Sequence, residues 1–247
     1  MKRRKRVRGK KKGEFKFLIG LLLLVILLNY NFLDETLINF VSTDKEVYVD
    51  RVIDGDTIES DENSVRLIGI NTPERGEKYY NEARDFLKKK IENKTVELEF
   101  TGETHDKYRR ILAYVFLENK NINTELVENG FANYYFYGGK DRYSNLLEEA
   151  WNKCINNKIN LCEPSINQCS KCIVLENIDV LKNECDFDCN ITGWKIKGEG
   201  RNNTIFSETL NNREKTNFDI ELMDSEDTIF LWDDEGKLVF WHQIRNP

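Results

Sequence analysis

The 247-residue chain has few of several residue types that mark particular protein classes. It contains three prolines and no low-complexity tract, which argues against a fibrous or linker-rich protein. It contains two histidines, His105 and His242, so histidine-based catalysis has little support. Hydrophobic residues make up 40% of the chain and aromatic residues 11%, which argues against global disorder. The length allows one or two domains, each with a real core.

Positive charge is scarce over most of the chain. The formal net charge is -6, but residues 1–16 carry ten Lys and Arg against one acidic residue, a net charge of +9. The other 231 residues carry 27 basic and 42 acidic side chains, a net charge of -15. The protein is therefore not a uniformly basic nucleic-acid coat.

One long hydrophobic run, residues 17–33, follows the basic segment. As a helix it would rise about 1.5 Å per residue and nearly span a hydrocarbon layer of about 30 Å. The basic residues before it favour a cytoplasmic N-terminus. No small-x-small cleavage site follows Leu28, which favours an uncleaved anchor, while secretion after signal cleavage remains the alternative. We predict a single-pass membrane protein with a cytoplasmic tail (1–16), a transmembrane helix (17–33), a connector (34–45) and an extracytoplasmic remainder.

The first 150 residues lack cysteine. The six cysteines are Cys154, Cys162, Cys169, Cys172, Cys185 and Cys189. An even number in a segment predicted to lie outside the cytoplasm favours disulfides. The spacing Cys169-x2-Cys172 followed by Cys185-x3-Cys189 also suits a tetrahedral zinc site, so zinc remains an alternative. Six cysteines allow fifteen pairings, and the sequence does not choose among them.

Residues 46–164 predict an α+β fold, an OB-like five-stranded barrel with about three helices. β-Branched residues and alternation predict strands over 47–53, 57–60, 65–70, 95–100 and 111–117, with a hairpin turn at 61–64. Helical spacing predicts helices over 77–93, 123–129 and 144–160. Gly130 is the expected C-terminal cap of the second helix, and Ser144 the expected N-cap of the third.

Residues 165–247 lack a helical period and predict a second domain, a small all-β immunoglobulin-like sandwich. Short predicted strands alternate with turns rich in Gly, Asn and acidic residues. They cover residues 172–178, 193–197, 204–206, 218–223, 228–231 and 238–241. The boundary between the two domains is expected near residues 163–170.

Three polar motifs accompany the strands of the predicted barrel. They are Asp54-Gly-Asp-Thr57, Arg66-Leu-Ile-Gly-Ile-Asn-Thr-Pro-Glu74 and His105-Asp-Lys-Tyr-Arg-Arg110. Arginine can bind two phosphate oxygens at once, and a hard divalent cation prefers oxygen ligands. A carboxylate can orient or deprotonate water. Together on one rim, these side chains would suit hydrolysis of a phosphodiester.

These motifs resemble the staphylococcal-nuclease-like (thermonuclease) family over about residues 46–164. The matching segments are Val52-Ile-Asp-Gly-Asp-Thr57, Val65-Arg-Leu-Ile-Gly-Ile-Asn-Thr-Pro-Glu74, Glu82-Ala83, Asp106-Lys-Tyr-Arg-Arg110 and Leu112-Ala-Tyr-Val115. The resemblance implies an OB-type barrel with helices. It also implies cleavage of DNA and RNA at the bond to the 5′ oxygen, which leaves 3′-phosphate ends.

The resemblance assigns a metal site and a catalytic site. Asp56 would be a carboxylate ligand of a calcium ion, and Thr72 would offer its backbone carbonyl. Asn71 stands where the best-known family member has a second aspartate. It keeps an oxygen ligand without the charge, so weaker calcium binding is expected. The predicted catalytic residues are Arg66 and Arg110, which would bind the phosphate, and Glu74, which would activate water.

The resemblance also assigns a nucleotide pocket. Lys107 and Tyr108 would line it, together with an aromatic residue from the segment 134–137, for which we choose Tyr135.

Residues 181–247 resemble the lamin-tail domain, which has an immunoglobulin-like fold. The matching segments are Ile191-Thr-Gly-Trp-Lys-Ile196 and Asp227-Thr-Ile-Phe-Leu-Trp-Asp-Asp-Glu-Gly-Lys-Leu-Val239. The resemblance implies an interaction or tethering unit, whose partner is unknown. Residues 165–247 carry 9 basic and 16 acidic side chains, so a direct grip on DNA is disfavoured and no catalytic residue is expected there.

The sequence thus predicts a membrane-anchored, extracytoplasmic, calcium-dependent nuclease acting on DNA, RNA or both. The alternative is a non-catalytic nucleic-acid-binding or cell-surface interaction protein, which the uncharged Asn71 favours.

Overall fold

The computed structural model describes residues 45–137, 139–222 and 227–244, which all lie within one compact unit. The predicted tail (1–16), the predicted transmembrane helix (17–33) and residues 34–44 of the predicted connector lie outside the described residues. Within the described ranges, no helix is long and apolar enough to cross a membrane.

The strands before residue 122 form one mixed sheet. They are β1 (Lys45–Tyr48), β2 (Arg51–Asp54), β3 (Thr57–Ser60), β4 (Asn63–Leu67), β6 (Thr95–Glu99), β7 (Ile111–Leu117) and β8 (Lys120–Asn121). The sheet order is β1-β6-β7-β4-β3-β2, with β8 paired to β7. The β4–β7 pair is parallel, and the other pairs are antiparallel. With its helices, this sheet fits the predicted OB-like fold, and we call residues 45–163 the OB-like region.

The sheet has seven strands where five were predicted, because the chain changes partners inside one predicted strand. The predicted strand 47–53 is broken between β1 and β2. At the break, the N–H of Val49 donates to Lys94 O, and the N–H of Asp50 donates to Glu59 O. β1 therefore pairs with β6, whereas β2 pairs with β3. β8 is a further short strand that was not predicted.

The predicted strand 65–70 is broken in the same way. β4 ends at Leu67, and the chain turns at Gly69, which has a φ of +74°. A Cβ there would lie 2.5 Å from the hydroxyl oxygen of Tyr114, so glycine is required. The short strands β5 (Ile70–Asn71) and β9 (Asn133–Tyr134) then form a separate antiparallel pair.

Three α-helices lie in the OB-like region, as predicted: α1 (Tyr80–Ile91), α2 (Ile122–Glu128) and α3 (Ser144–Asn157). α1 buries three apolar side chains at a spacing of four, Ala83, Leu87 and Ile91. It starts three residues later than predicted, because Tyr79 has a left-handed backbone with a φ of 67°.

The prediction of Ser144 as the N-cap of α3 is wrong. Ser144 is the first helical residue, and the N-cap is Tyr143, whose side chain makes no capping hydrogen bond. Asp141 starts the turn into the helix, because its carboxylate accepts from the N–H of Tyr143 at 2.9 Å. The hydroxyl of Ser144 accepts from the N–H of Asp141 at 2.8 Å and stabilises the same turn.

In the described residues after 163, which we call the C-terminal region, the regular elements are strands, as predicted, and one 3-10 helix, Gln168–Lys171. The strands are β10 (Ile173–Asn177), β11 (Val180–Asn183), β12 (Cys189–Asn190), β13 (Lys195–Lys197), β14 (Asn203–Ile205), β15 (Thr209–Leu210), β16 (Lys215–Asn217), β17 (Thr228–Trp232) and β18 (Leu238–Gln243). They form three antiparallel sheets with the orders β10-β11-β16, β12-β15 and β14-β13-β17-β18.

The prediction of a strand over 218–223 is wrong for residues 218–222. The strand in this part of the chain is β16, which pairs with β11 and ends at Asn217. The N–H of Phe218 donates to Asp179 O in the β10–β11 turn, so the chain leaves the ladder there. Met223 lies outside the described residues.

All six cysteines form disulfides, which confirms that prediction. The pairs are Cys154–Cys162, Cys169–Cys189 and Cys172–Cys185. The zinc alternative is wrong. The sulfur atoms of Cys169, Cys185 and Cys189 lie within 4.8 Å of one another, but each belongs to a disulfide and no free cysteine remains.

The core of the OB-like region extends into the C-terminal region. Its buried apolar cluster includes Phe230, Trp232 and Leu238. The indole N–H of Trp232 donates to Leu161 O at 2.8 Å, and the hydroxyls of Tyr134 and Thr228 hydrogen-bond at 2.8 Å. A second cluster fills the C-terminal region itself, around Trp194. The two regions therefore share buried contacts, while their assignment as separate domains (46–164 and 165–247) stays a prediction.

Candidate active site

A buried ion pair lies where β3 and β4 run side by side. Thr57 and Arg66 are direct partners on these strands, and Asp56 precedes Thr57. Nη2 of Arg66 lies 3.0 Å from Oδ2 of Asp56, and both side chains are less than 10% exposed. The guanidinium also donates to the carbonyls of Leu67 and Ile70. It is therefore held by three acceptors before any substrate arrives.

The loop that carries Asp56 leaves no room for a side chain at Gly55. A Cβ there would lie 2.9 Å from Cβ of Thr72 and 2.9 Å from Cβ of Ala83 on α1. The close approach brings Thr72 to the carboxylate, and its N–H and hydroxyl donate to Oδ2 of Asp56 at 3.3 and 3.0 Å. Burial raises the pKa of Asp56, but the attraction of Arg66 and Arg201 and the hydrogen bonds from Thr72 together outweigh it and hold that pKa below its ordinary value.

Asp54 is a second carboxylate at this loop, and the sequence analysis gave it no role. Its Oδ1 accepts from the N–H of Asp56 at 3.2 Å. Burial, and then repulsion from Asp56, raise the pKa of Asp54 above its ordinary value. The signal was present in the Asp54-Gly-Asp56 spacing, which puts two carboxylates in one turn.

Asn71 offers a buried oxygen without a partner. Its Oδ1 has no hydrogen-bond partner in the described part of the chain, and the residue is 1% exposed. A hard cation prefers such neutral and charged oxygens, so Asn71 and Asp56 fit the donor chemistry of a calcium site. The described residues contain no cluster of three carboxylates or histidines at ligand distance, so the set is a mixed one.

Arg110 lies beside Arg66 through the parallel pairing of β4 and β7, in which Val65 and Ile111 are partners. Its Nε donates to Oδ2 of Asp106 at 2.7 Å, and its backbone N–H donates to Oδ1 at 3.0 Å. Burial lowers the pKa of Arg66; the attraction of Asp56 opposes this shift, while repulsion from Arg201 and Arg110 adds to it. The structure thus brings both predicted phosphate-binding arginines to one rim.

Two predicted substrate-binding residues lie on the exposed loop before β7. Tyr108 is 69% exposed and has the guanidinium carbon of Arg110 5.6 Å from its ring centre. Nζ of Lys107 lies 5.2 Å from the same ring centre. Among the described residues, no hydrogen bond or ion pair joins either side chain to Asp56 or Glu74. Their role in a nucleotide pocket stays a prediction.

Glu74, the predicted base, is paired with an arginine that the sequence analysis missed. Nε of Arg201 lies 3.1 Å from Oε1 of Glu74, whose side chain is 49% exposed. Nη2 of Arg201 lies 3.8 Å from Oδ1 of Asp56. Arg201 belongs to the turn between β13 and β14, so a side chain of the C-terminal region reaches this site, while the expectation that this region holds no catalytic residue stays a prediction.

The turn before Arg201 is fixed to the OB-like region by side-chain amides. Nδ2 of Asn71 donates to Gly200 O at 3.0 Å, and Nδ2 of Asn133 donates to Glu199 O at 3.0 Å. The carboxylate of Glu199 accepts from the N–H of Phe136 at 3.0 Å. A Cβ at Gly200 would lie 3.5 Å from the ring of Tyr135, so this half-buried tyrosine lines the same junction.

Two lysines of β13 lie near the carboxylates of the same junction. Lys195 forms an ion pair with Glu77 at 3.1 Å. Lys197 is buried, and burial, followed by repulsion from Lys195, lowers its pKa to about 7. Neither lysine was predicted from the sequence to lie near the site, because the segment around them has a negative net charge.

Comparison with known proteins gives consistent matches for the OB-like region. Residues 64–163 match the family described as staphylococcal nuclease homologue. A thermonuclease of Staphylococcus intermedius is 40% identical over 125 residues, which cover 47% of this chain and 74% of that protein. A thermonuclease of Staphylococcus hyicus is 38% identical over 110 residues, 40% of this chain and 65% of that protein. The uncharacterized protein MJ1439 of Methanocaldococcus jannaschii is 34% identical over 148 residues, 45% of this chain and 72% of that protein.

Proposed function

Because the chain belongs to the staphylococcal nuclease homologue family, we propose that it is a calcium-dependent nuclease that hydrolyses phosphodiester bonds of DNA, RNA or both. The observation that carries the proposal is the rim on which the Asp56–Arg66 pair, Arg110 and Glu74 meet. The arginines can bind the phosphate, the buried carboxylate of Asp56 can bind a metal, and the half-exposed carboxylate of Glu74 can activate water. This division of tasks suits phosphodiester hydrolysis.

The two arginines would bind the phosphate and stabilise its charge as the bond breaks. Arg66 is held by Asp56 and two carbonyls, and Arg110 is held by Asp106, so both guanidiniums are oriented in advance. Donors fixed in this way contribute to the rate because they do not reorganise during the reaction. Glu74 is half exposed, so its carboxylate can reach a water molecule and accept its proton.

The metal would be held by Asp56 and by the unpaired oxygen of Asn71, with Thr72 as the third predicted ligand. When bound, calcium would neutralise phosphate charge and polarise the phosphate for attack. Asn71 contributes no negative charge, and Arg201 adds a positive charge 3.8 Å from Asp56. We therefore expect calcium to bind weakly, because calcium affinity depends on the number of charged ligands.

The test is cleavage of labelled single-stranded DNA and RNA by the full-length chain in millimolar calcium and in chelator. Arg110→Ala should lower kcat/KM by about 10²- to 10³-fold, the loss typical of one transition-state donor. Arg84→Ala is the matched control, because Arg84 lies on α1 and pairs only with its neighbour Asp85 among the described residues. Its activity should equal that of the unmodified chain.

Two results would overturn the proposal. One is a correctly folded chain that leaves both substrates intact across millimolar calcium. The other is undiminished cleavage by Arg110→Ala, with the circular dichroism of Arg110→Ala and Arg84→Ala equal to that of the unmodified chain. Nucleic-acid binding without cleavage would favour the non-catalytic alternative.

The location of the protein is a further part of the proposal. We propose that residues 17–33 anchor it in a membrane, with the N-terminus in the cytoplasm and the nuclease site outside. Three disulfides support an oxidising compartment, where such bonds persist. Fractionation with mass analysis tests it, since a cleaved signal would release a shorter chain from the membrane.

For the C-terminal region we propose a lamin-tail-type interaction module. Its all-β architecture is compatible with the motifs around Trp194 and in residues 227–239 that carry the resemblance. The module would tether the nuclease to an external partner.

A further inference from the structure

Arg201 reaches the predicted catalytic carboxylates from a different part of the chain. Its guanidinium lies between Glu74 and Asp56, at 3.1 and 3.8 Å. The side chain is 43% exposed, so part of it faces solvent. A guanidinium in this position can bind an anionic ligand without leaving the site.

The backbone that carries Arg201 is rigid where it meets the OB-like region. Glu199 and Gly200 are buried, and three hydrogen bonds, from Asn71, Asn133 and Phe136, hold them. Asn71 is especially informative, because its amide nitrogen donates to Gly200 O. An aspartate at position 71 could not make this bond, since an ionised carboxylate is only an acceptor. The residue that departs from the family pattern is thus the one that docks the turn bearing Arg201.

The charges around the site favour an anion at its open side. Arg66 and Arg201 approach the two oxygens of Asp56 at 3.0 and 3.8 Å, and Arg110 directly precedes β7, the strand that pairs with β4. Repulsion among three guanidiniums is relieved when a group with two or more anionic oxygens binds among them. A phosphodiester of a nucleic-acid backbone is such a group.

We propose that Arg201 is a third phosphate-binding arginine of the active site, supplied by the C-terminal region. The inference rests on the proposed nuclease function and extends it, because the OB-like region alone would then hold an incomplete site. The rival role is that of a cation that merely occupies the place of the metal between Asp56 and Glu74. The two roles predict opposite effects on nucleic acid and on calcium.

The experiment compares the full-length chain with Arg201→Gln, Arg201→Lys and Arg213→Gln. The probe is a labelled single strand of about eight nucleotides, within the usual site size, in which methylene replaces each 5′ oxygen. Such a strand keeps its charge and resists cleavage in calcium. Fluorescence anisotropy at several salt concentrations gives Kd and its salt slope, and a calcium titration is run on each variant. The basic segment 1–16 is present in all variants, so its contribution cancels.

Arg201→Gln should raise Kd about tenfold, the effect of losing one charged hydrogen-bond donor. It should also reduce the slope of log K against log salt by about 0.7, the value for one phosphate contact on a single strand. Arg201→Lys should keep the slope and recover part of the affinity. Arg213→Gln, the matched control, removes an exposed arginine of the same region that pairs with Asp186, and should change neither quantity.

Three outcomes would overturn the inference. The first is an unchanged Kd and slope in Arg201→Gln. The second is tighter calcium binding with an unchanged slope, which would identify Arg201 as the rival of the metal. The third is equal loss in Arg201→Gln and Arg213→Gln, which would indicate general charge alone. Failure of the proposed function is distinguishable, because the unmodified chain would then leave the natural strand intact in calcium, whether or not it binds the analogue.

Discussion

The OB-like region and the C-terminal region differ in how they are stabilised and in the charges they contribute. The OB-like region has a large continuous core, and its single disulfide, Cys154–Cys162, lies at its end. The C-terminal region has a smaller core and two disulfides, Cys169–Cys189 and Cys172–Cys185. A small core buries less apolar surface, so covalent links complement it.

The cations that the C-terminal region contributes to the junction run against the negative net charge of that region. The OB-like region supplies the acids of the junction, Asp54, Asp56, Glu74 and Glu77. The C-terminal region, with its excess of acidic residues, supplies the cations Arg201, Lys195 and Lys197. Placement of a few side chains therefore decides what a surface can bind, because exposed charges further than a Debye length are screened.

The largest expected effect comes from the contact by which the C-terminal region enters the core of the OB-like region. Trp232 is 2% exposed, stacks on Phe230 at 5.4 Å and donates to Leu161 O. Trp232→Ala should lower the free energy of unfolding by about 3–5 kcal/mol, the usual cost of truncating a buried large aromatic side chain. Urea unfolding followed by circular dichroism measures it. Ile205→Ala, at a residue 63% exposed, is the control and should cost less than about 0.5 kcal/mol.

The same urea unfolding would also show whether the OB-like region and the C-terminal region are independently stable. If Trp232→Ala separated unfolding into two transitions and left one unchanged, the two regions would be independently stable. A single transition with a lower midpoint would show that they unfold together.

A second expected effect concerns the buried lysine of the C-terminal region. Burial lowers the pKa of Lys197 from 10.5 to about 7. At a pH between these two values, the unfolded chain therefore carries a proton on this lysine that the folded chain lacks. Below about pH 7, the folded chain bears the full cost of burying the charged lysine. As the pH rises above 7, this cost falls, and the free energy of unfolding rises by up to about 1.4 kcal/mol per pH unit. The charged groups that act on Lys197 are Lys195, Glu77, Glu74 and Asp56.

Lys197→Met should remove this rise, and urea unfolding at pH 6, 7.5 and 9 would measure it. Lys153→Met is the control, because that lysine is exposed on α3 and should leave the pH dependence as it was. Parallel curves for the unmodified chain and Lys197→Met would contradict the assignment.

The smallest expected effect tests the junction at Asn71. Asn71→Asp loses the hydrogen bond to Gly200 O and adds a charge beside the predicted metal site. Without calcium, the free energy of unfolding should fall by about 1–2 kcal/mol, because a buried donor is lost. Calcium should bind about tenfold more tightly, since affinity follows ligand charge.

Asn71→Ala separates the two effects of that change. It loses the same hydrogen bond without adding charge, so its stability should fall while its calcium affinity does not rise. Calorimetric calcium titration and urea unfolding measure both quantities. Equal calcium affinity in Asn71→Asp and the unmodified chain would contradict a metal at this position.

The sequence predicted the local elements well where a single physical rule decides them. β7 has the predicted bounds, 111–117, because its apolar residues have neighbours on both sides in the sheet. α1 and α2 lie within three residues of their predicted starts, since their apolar spacing is regular. The ends depended on backbone detail, such as the left-handed Tyr79, that periodicity does not encode.

Contacts between distant segments could not be predicted from one sequence. The polar motifs pointed to Asp56, Arg66, Glu74 and Arg110, and the structure brings them together. Arg201 carried no local signal, because it is a lone arginine in a turn of an acidic segment. Its relation to the site depends on docking of Gly200 against Asn71, and those residues are 129 positions apart.

That separation has a consequence for the order in which the protein becomes functional. A ribosome releases the N-terminal part of a chain first, and domains generally fold as they emerge. The segment with Asp56 therefore leaves the ribosome before the turn with Arg201 has been synthesised. Contacts between distant residues also form slowly. A nuclease whose site needs the 129-residue contact would mature late, after most of its chain has left the ribosome.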